Sequence, residues 1–245
     1  MLASVLDFGF FYVVQGLVLG LLIFLLARGQ WRRLPGVLGY LCALLLLDGV
    51  SRRYVFYHFG VNSLQYYYFY WLTDVALTLG AFLLVCTFFH RACADQARIW
   101  RHLRLMLVFV FIMVLGISAF SLSRNYGNLF SVFMFEFQQN LYFTCLILNT
   151  LLYILMQQIQ TDDNELDLLV CGMGLQFAGP AASLALKFLA PNNEITESIM
   201  HIVLPLCTLA MLLTWFYAVT RMPLTARAHA STELVPSRAA GRMVA

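Results

Sequence analysis

Charge is what this chain has least of. Aspartate, glutamate, lysine and arginine together make up 11% of its 245 residues, while 62% are hydrophobic. A soluble domain is about 25% charged, so there are too few charges here to hydrate a surface around that much hydrocarbon. A soluble globular domain, a disordered chain and a nucleic-acid binder are excluded together. Lysine is nearly missing: Lys187 is the only one. The six cysteines (Cys42, Cys86, Cys93, Cys145, Cys171, Cys207) include no C-x-x-C pair, which suggests neither a disulfide framework nor a zinc site. The first residues lack the basic stretch of a cleaved leader, so the first apolar segment is expected in the mature protein. H-E-x-x-H, G-x-S-x-G and Gly-x-Gly-Asp are all missing, and intramembrane proteolysis has no supporting constellation.

What the chain does have is long apolar runs. A helix needs about 20 largely apolar residues to cross a bilayer core, and seven segments qualify: 8–27, 34–57, 66–89, 105–123, 130–157, 168–186 and 198–220. Lipid cannot satisfy an open backbone, and the runs are too long for barrel strands, so helix is required. The expected fold is all-α, a polytopic transmembrane bundle of seven helices over residues 1–220. Residues 221–245 turn abruptly to Ala, Arg, Ser, Thr and Pro and read as a short disordered cytoplasmic tail. No internal repeat suggests a transporter's paired halves.

Arginine sets the expected orientation. Arg28, Arg32 and Arg33 follow the first span, Arg91, Arg98, Arg101 and Arg104 the third, and Arg221, Arg227, Arg238 and Arg242 the seventh. Only Arg52, Arg53, Arg124 and Lys187 lie on the other side. This bias predicts the N-terminus outside and the C-terminus in the cytoplasm of a bacterial inner membrane. One cytoplasmic loop dissents, since Thr161 to Asp167 carries four acids and no base. Asp162 and Glu165 there have the spacing of an acidic relative of the capping box, ahead of the sixth helix; a metal or partner site is the other reading.

Several polar side chains fall inside the apolar runs. Asp48 and Arg52 stand one turn apart in the favourable acid-first order, while Asp74 has no base within four residues. Intramembrane ionisable groups are functional candidates by default. Glu136, Gln139 and Asn140 share a face of the fifth span, and His201 lies near the outer end of the seventh. Asp48, Arg52, Asp74, Glu136, Asn140 and His201 are therefore the candidate ligand-binding or proton-coupling residues, lining a polar pocket that opens outward. The run Tyr66-Tyr67-Tyr68-Phe69-Tyr70-Trp71 suits an interfacial belt, but six consecutive aromatics cannot all face lipid, and some must point inward. Gly16-x-x-x-Gly20 permits close helix contact. Gly172, Gly174, Ala178, Gly179, Ala181 and Ala182 mark the sixth helix as the small-residue, central one. Pro180 and Pro205 should kink the last two spans.

Other chemistries are tested by position. Retinal needs a lysine midway along the last helix, and there is none. Asp48-Gly49-x-x-Arg52 resembles the start of a CDP-alcohol phosphotransferase motif, but its arginine is one residue early and the downstream aspartates are missing. His58 and His201 lie toward the outside and His90 and His102 toward the cytoplasm, a layout that would suit two b-type haems held by paired imidazoles; no cofactor is otherwise expected. The aromatic run ending Tyr70-Trp71, within this layout, resembles a loose group of uncharacterised seven-helix bacterial integral membrane proteins over most of the chain. That resemblance implies the architecture and no activity. Three functions stay open: a non-enzymatic sensor or accessory subunit, a proton-coupled small-solute transporter using Asp74 and Asp48, and a transmembrane haem electron-transfer protein. The expected partners are the lipid bilayer and either another membrane protein or a second copy.

Overall fold

The structure is a computed structural model that describes residues 2–60, 63–94, 96–122, 129–159, 163–189 and 202–220. Seven long helices account for almost all of them: α1 (Leu2–Ala27), α2 (Pro35–Phe59), α3 (Leu64–Ala92), α4 (Ala97–Leu122), α5 (Leu129–Ile159), α6 (Asn164–Leu189) and α7 (Ile202–Thr220). The protein is an all-α, polytopic membrane bundle. All but α6 are long and apolar enough over the described residues to cross a membrane. In α6 the glycines, together with Gln176, Pro180 and Ser183, dilute the apolar content.

Helix ends follow local chemistry. Gly29 stops α1 by taking a φ of 66°, a left-handed conformation that costs glycine nothing. Pro35 opens α2, where its missing N–H is no loss. Gly60, with φ 73°, ends α2, and the Ser63 hydroxyl accepts the Tyr66 amide at 3.1 Å to cap α3. The helix α4 begins at Ala97, so Arg98, Arg101 and Arg104 are its first turns and not a loop.

One stretch departs from α geometry. From Leu44 to Ser51 the second helix winds as a π-helix, with i→i+5 bonds. The wider turn carries an extra residue and rotates everything beyond it about the helix axis. Such segments are rare and concentrate at functional sites. This one contains Asp48 and Gly49. A Cβ at Gly49 would lie 2.7 Å from the Gln15 side-chain oxygen of α1, so a larger residue there would push the glutamine amide aside.

Packing is organised around α3, half of whose apolar window is buried. It meets α2 on one side, α5 on the other, and touches α4 and α6. The small-residue helix α6 packs against α5, α3 and α7, and its small residues serve as notches. A Cβ at Gly172 would strike the Trp215 ring of α7 at 2.7 Å, and one at Gly179 would strike Cys207 at 2.9 Å. Trp215 is fully buried and donates its indole N–H to the Leu169 carbonyl at 3.0 Å. Its ring meets Tyr40 of α2 edge-on at 6.1 Å, and Phe216 meets Phe24 of α1 at 5.9 Å. The last helix thus closes the bundle against the first two. The Gly16-x-x-x-Gly20 pair does not make the close contact its spacing allows, since neither position has anything within 4 Å.

The notch at Gly172 generates a direct test. Gly172→Ala should lower bundle stability by roughly 1–3 kcal/mol, the usual size of overpacking in a filled core, and Gly16→Ala should leave it unchanged. Thermal unfolding in mild detergent reads both; equal midpoints for the two variants would mean that Trp215 is not seated in α6.

Candidate functional site

Midway along α2 and α3 a guanidinium joins two carboxylates. Asp48 lies about 20 Å along α2 from Pro35 at 1.5 Å per residue, well inside the apolar layer. Arg52 Nη1 donates to Asp48 Oδ1 at 2.7 Å, and Arg52 Nη2 donates to Asp74 Oδ1 of α3 at 3.0 Å. Arg52 Nε donates to the Thr73 hydroxyl at 2.9 Å, and the Thr73 hydroxyl in turn donates to the Tyr70 carbonyl. The guanidinium also stacks over the Tyr70 ring, 4.4 Å from its centroid. Arginine suits this position because its planar fork offers donors in several fixed directions at once.

The two outer helices of the cluster add amides. Gln15 of α1 donates to Asp48 Oδ2 at 3.2 Å, and Gln138 of α5 donates to Asp74 Oδ2. Tyr142, one turn further along α5, lies beside Thr78 and Gln138. Four helices therefore meet through one hydrogen-bonded set. Its formal charge is negative, two carboxylates against one guanidinium. The Arg53 guanidinium lies over the Phe11 ring at 4.3 Å. The π turn carries Asp48 into this set, and Thr73 and Asp74 lie one turn past Tyr70 on α3.

The candidate residues from the sequence separate into groups. Asp48, Arg52 and Asp74 come together. Asn140 does not reach them; it donates to Ser118 of α4 at 3.2 Å. Glu136 is half-buried near the start of α5, away from these bonds. His201 lies outside the described residues, as does the 221–245 tail. Gln138, Gln15 and Thr73 are the members that sequence reasoning passed over. Gln138 is adjacent to Gln139, which the sequence places on one face with Glu136 and Asn140, and helical spacing alone does not fix which neighbour faces inward. Within the aromatic run Tyr70, 39% exposed, lies beneath the Arg52 guanidinium. Tyr66 packs edge-on against Phe56 of α2 at 5.9 Å, while Tyr67 and Tyr68 stay exposed.

A second ionic set holds the arginine-rich end. Glu165, only 3% exposed, accepts from Arg91 of α3 at 3.0 Å and pairs with Arg33 of the α1–α2 connection at 2.9 Å. Arg91 also donates its Nε to Asp163 at 2.9 Å. Asp163 caps α6, accepting the Leu166 amide at 3.3 Å. Burial and the neighbouring Asp163 carboxylate push the Asp167 carboxyl above the ordinary range. The acidic loop is thus answered by Arg33 of the α1–α2 connection and Arg91 at the end of α3. Asp163 caps α6, one residue past the Asp162 that the spacing suggests and that lies outside the described residues, while Glu165, the expected box partner, is drawn to the arginines.

The histidines have other company. His90 stacks on Trp100 of α4 at 4.6 Å, His102 Nδ1 lies 3.0 Å from the Arg98 carbonyl, and His58 is exposed beside Tyr54. No group of three or more His, Cys, Asp or Glu with metal-holding geometry occurs among the described residues.

The central cluster has a sharp mutational signature. Arg52→Gln leaves two carboxylates facing each other in a low-dielectric setting, and the bundle should lose about 3 kcal/mol. Arg52→Lys should recover little of it, since one ammonium cannot serve acceptors spread over two helices. The neutral triple variant Asp48→Asn, Arg52→Gln, Asp74→Asn should be markedly more stable than Arg52→Gln alone. Detergent melting curves order the three; a triple variant no better than the single one would show that the charges are not what binds α2 to α3.

No family model matches this chain, and neither a curated protein nor a solved structure is similar to it.

Proposed function

We propose that this multi-pass protein is a non-enzymatic sensor or accessory subunit of a bacterial inner membrane, and that its movable part is the Asp48–Arg52–Asp74 cross-link. The orientation proposed is N-terminus outside and C-terminus in the cytoplasm, with the cluster addressed from the outer side. The observation that carries this reading is one guanidinium shared by two carboxylates on two helices, at a π turn. A shared cation can be repartitioned: a proton or an outside ligand that neutralises one carboxylate lets Arg52 turn wholly to the other. Because Arg52 belongs to α2 and Asp74 to α3, that shift changes how the two helices are held. The chemistry at the cluster is hydrogen bonding and charge pairing, with no nucleophile and base in line, which supports a role outside catalysis.

The surplus negative charge also supports a second reading, a proton-coupled transporter in which Asp74 and Asp48 exchange protons. Two measurements separate the readings. In liposomes loaded with a pH-sensitive dye, a panel of amino acids, sugars and carboxylates should drive no proton movement. Uptake of protons that needs Asp74 would make the protein a transporter. Asp74→Asn should also raise amide hydrogen exchange in Leu44–Ser51 and, through α2, in the α1–α2 connection at Gln30–Leu34. Exchange altered only within a turn of residue 74 would leave no relay, and the sensor reading would fall.

Orientation has its own check. A single cysteine at exposed Leu64, with the native cysteines replaced, should react with an impermeant maleimide added to intact cells from outside. Labelling that requires broken cells would reverse the arrangement.

A further inference from the structure

A groove of about 470 Å³ parts α3 from α4. Its floor is Phe82 of α3 stacked on Phe111 of α4, with ring centroids 5.3 Å apart. Leu83 and Val108 stand at its mouth, 62% and 52% exposed, so it opens toward surrounding hydrocarbon and not into the bundle. The volume falls within the range of small-molecule clefts, roughly 300–1,000 Å³. Along α4 the groove extends about 16 Å from Trp100 to Phe111 at 1.5 Å per residue.

One charged residue lines it. Arg104 stands toward the arginine-rich end, one turn from Trp100, and Arg101 and Arg98 continue along the same helix. Of the other arginines described at that end, Arg91 and Arg33 are paired with carboxylates and Arg28 lies over the Phe24 ring at 4.3 Å. Among the described residues the guanidiniums of Arg98, Arg101 and Arg104 have no carboxylate or hydrogen-bond partner. The wall below Arg104 is wholly apolar, formed by leucine, valine, phenylalanine and Cys86. A ligand that fits must therefore be hydrocarbon over most of its length and anionic at one end.

We propose that this groove is a binding site for an anionic phospholipid, with an acyl chain lying against Phe82 and Phe111 and the phosphate held by Arg104. Basic sites between membrane helices select such headgroups. Trp100 marks the headgroup depth, where indole rings are favoured. A transmembrane helix from a partner would fill the apolar part but would bring no anion to three unpaired guanidiniums. The site is separate from the Asp48–Arg52–Asp74 cluster and does not depend on its proposed role.

Native mass spectrometry of the full chain tests it, using mixed micelles that contain equal phosphatidylglycerol and phosphatidylcholine. Phosphatidylglycerol should be retained in preference. Arg104→Gln should weaken that retention roughly fivefold, the size of one arginine's attraction for an anionic lipid surface. Leu83→Trp, which fills the groove mouth, should weaken it with Arg104 intact. Both positions are exposed, and unchanged melting in phosphatidylcholine micelles shows that each variant folds. Inorganic phosphate in excess should displace no lipid. Equal retention of the two lipids, or retention indifferent to both variants, overturns the proposal. So does displacement by phosphate alone, or a dimer that Leu83→Trp dissociates, which would make the groove an interface between copies.

Discussion

The arrangement of the bundle turns on a guanidinium that has to be satisfied where water is scarce. Arg52 cannot shed its charge, and a low-dielectric interior makes an unpaired cation far more costly than it would be at a wet surface. Asp48 supplies one anion from the same helix, and Asp74 the second from α3. Each carboxylate then has an oxygen left over, and those oxygens are met by Gln15 of α1 and Gln138 of α5. Satisfying one side chain thereby specifies how four helices stand around it. Apolar packing alone is permissive in lipid, because the tails are as apolar as leucine; a polar set with fixed partners selects one arrangement.

The π turn at Leu44–Ser51 belongs to the same constraint. It widens the helix where Asp48 must face both Gln15 and Arg52, and Gly49 leaves space for the glutamine to approach. At the arginine-rich end a second ionic set ties the α1–α2 connection, the end of α3 and the start of α6 through Arg33, Arg91, Asp163 and Glu165. Between these two sets the helices are joined by notches and plugs, Trp215 in Gly172 being the largest. The contrast lies at α4, which is the least buried of the spans compared and pairs chiefly with α5. Among the described residues its three arginines have neither a carboxylate nor a hydrogen-bond partner, and the apolar groove runs from Arg104.

Much of this was legible beforehand, for reasons that can be traced to residues. Long uncharged runs such as those of α1 and α4 leave no choice but helices in lipid, and a carboxylate such as Asp74 within such a run demands a partner. Asp48 and Arg52 are one turn apart, so their pairing is a local matter. The partners of Asp74 were not legible. Arg52 lies 22 positions away and Gln138 lies 64 away, and nothing in a linear pattern says which helices will be neighbours. The sequence reads Gln139 on one face with Glu136 and Asn140, and Gln138, one residue away, is the glutamine that meets Asp74.

What the sequence determined by itself is the number of helices, their membrane setting and the cost attached to each intramembrane charge, because these follow from composition and run length. Tertiary structure alone decided how those costs are met. It placed Asp48 and Asp74 on a single arginine, left Asn140 with Ser118, drew Glu165 to Arg91 and Arg33, and used the glycines of α6 for Trp215 and Cys207 while Gly16 and Gly20 face open space. Each of those outcomes depends on which helix faces which and at what rotation, and that information exists only once the chain is packed.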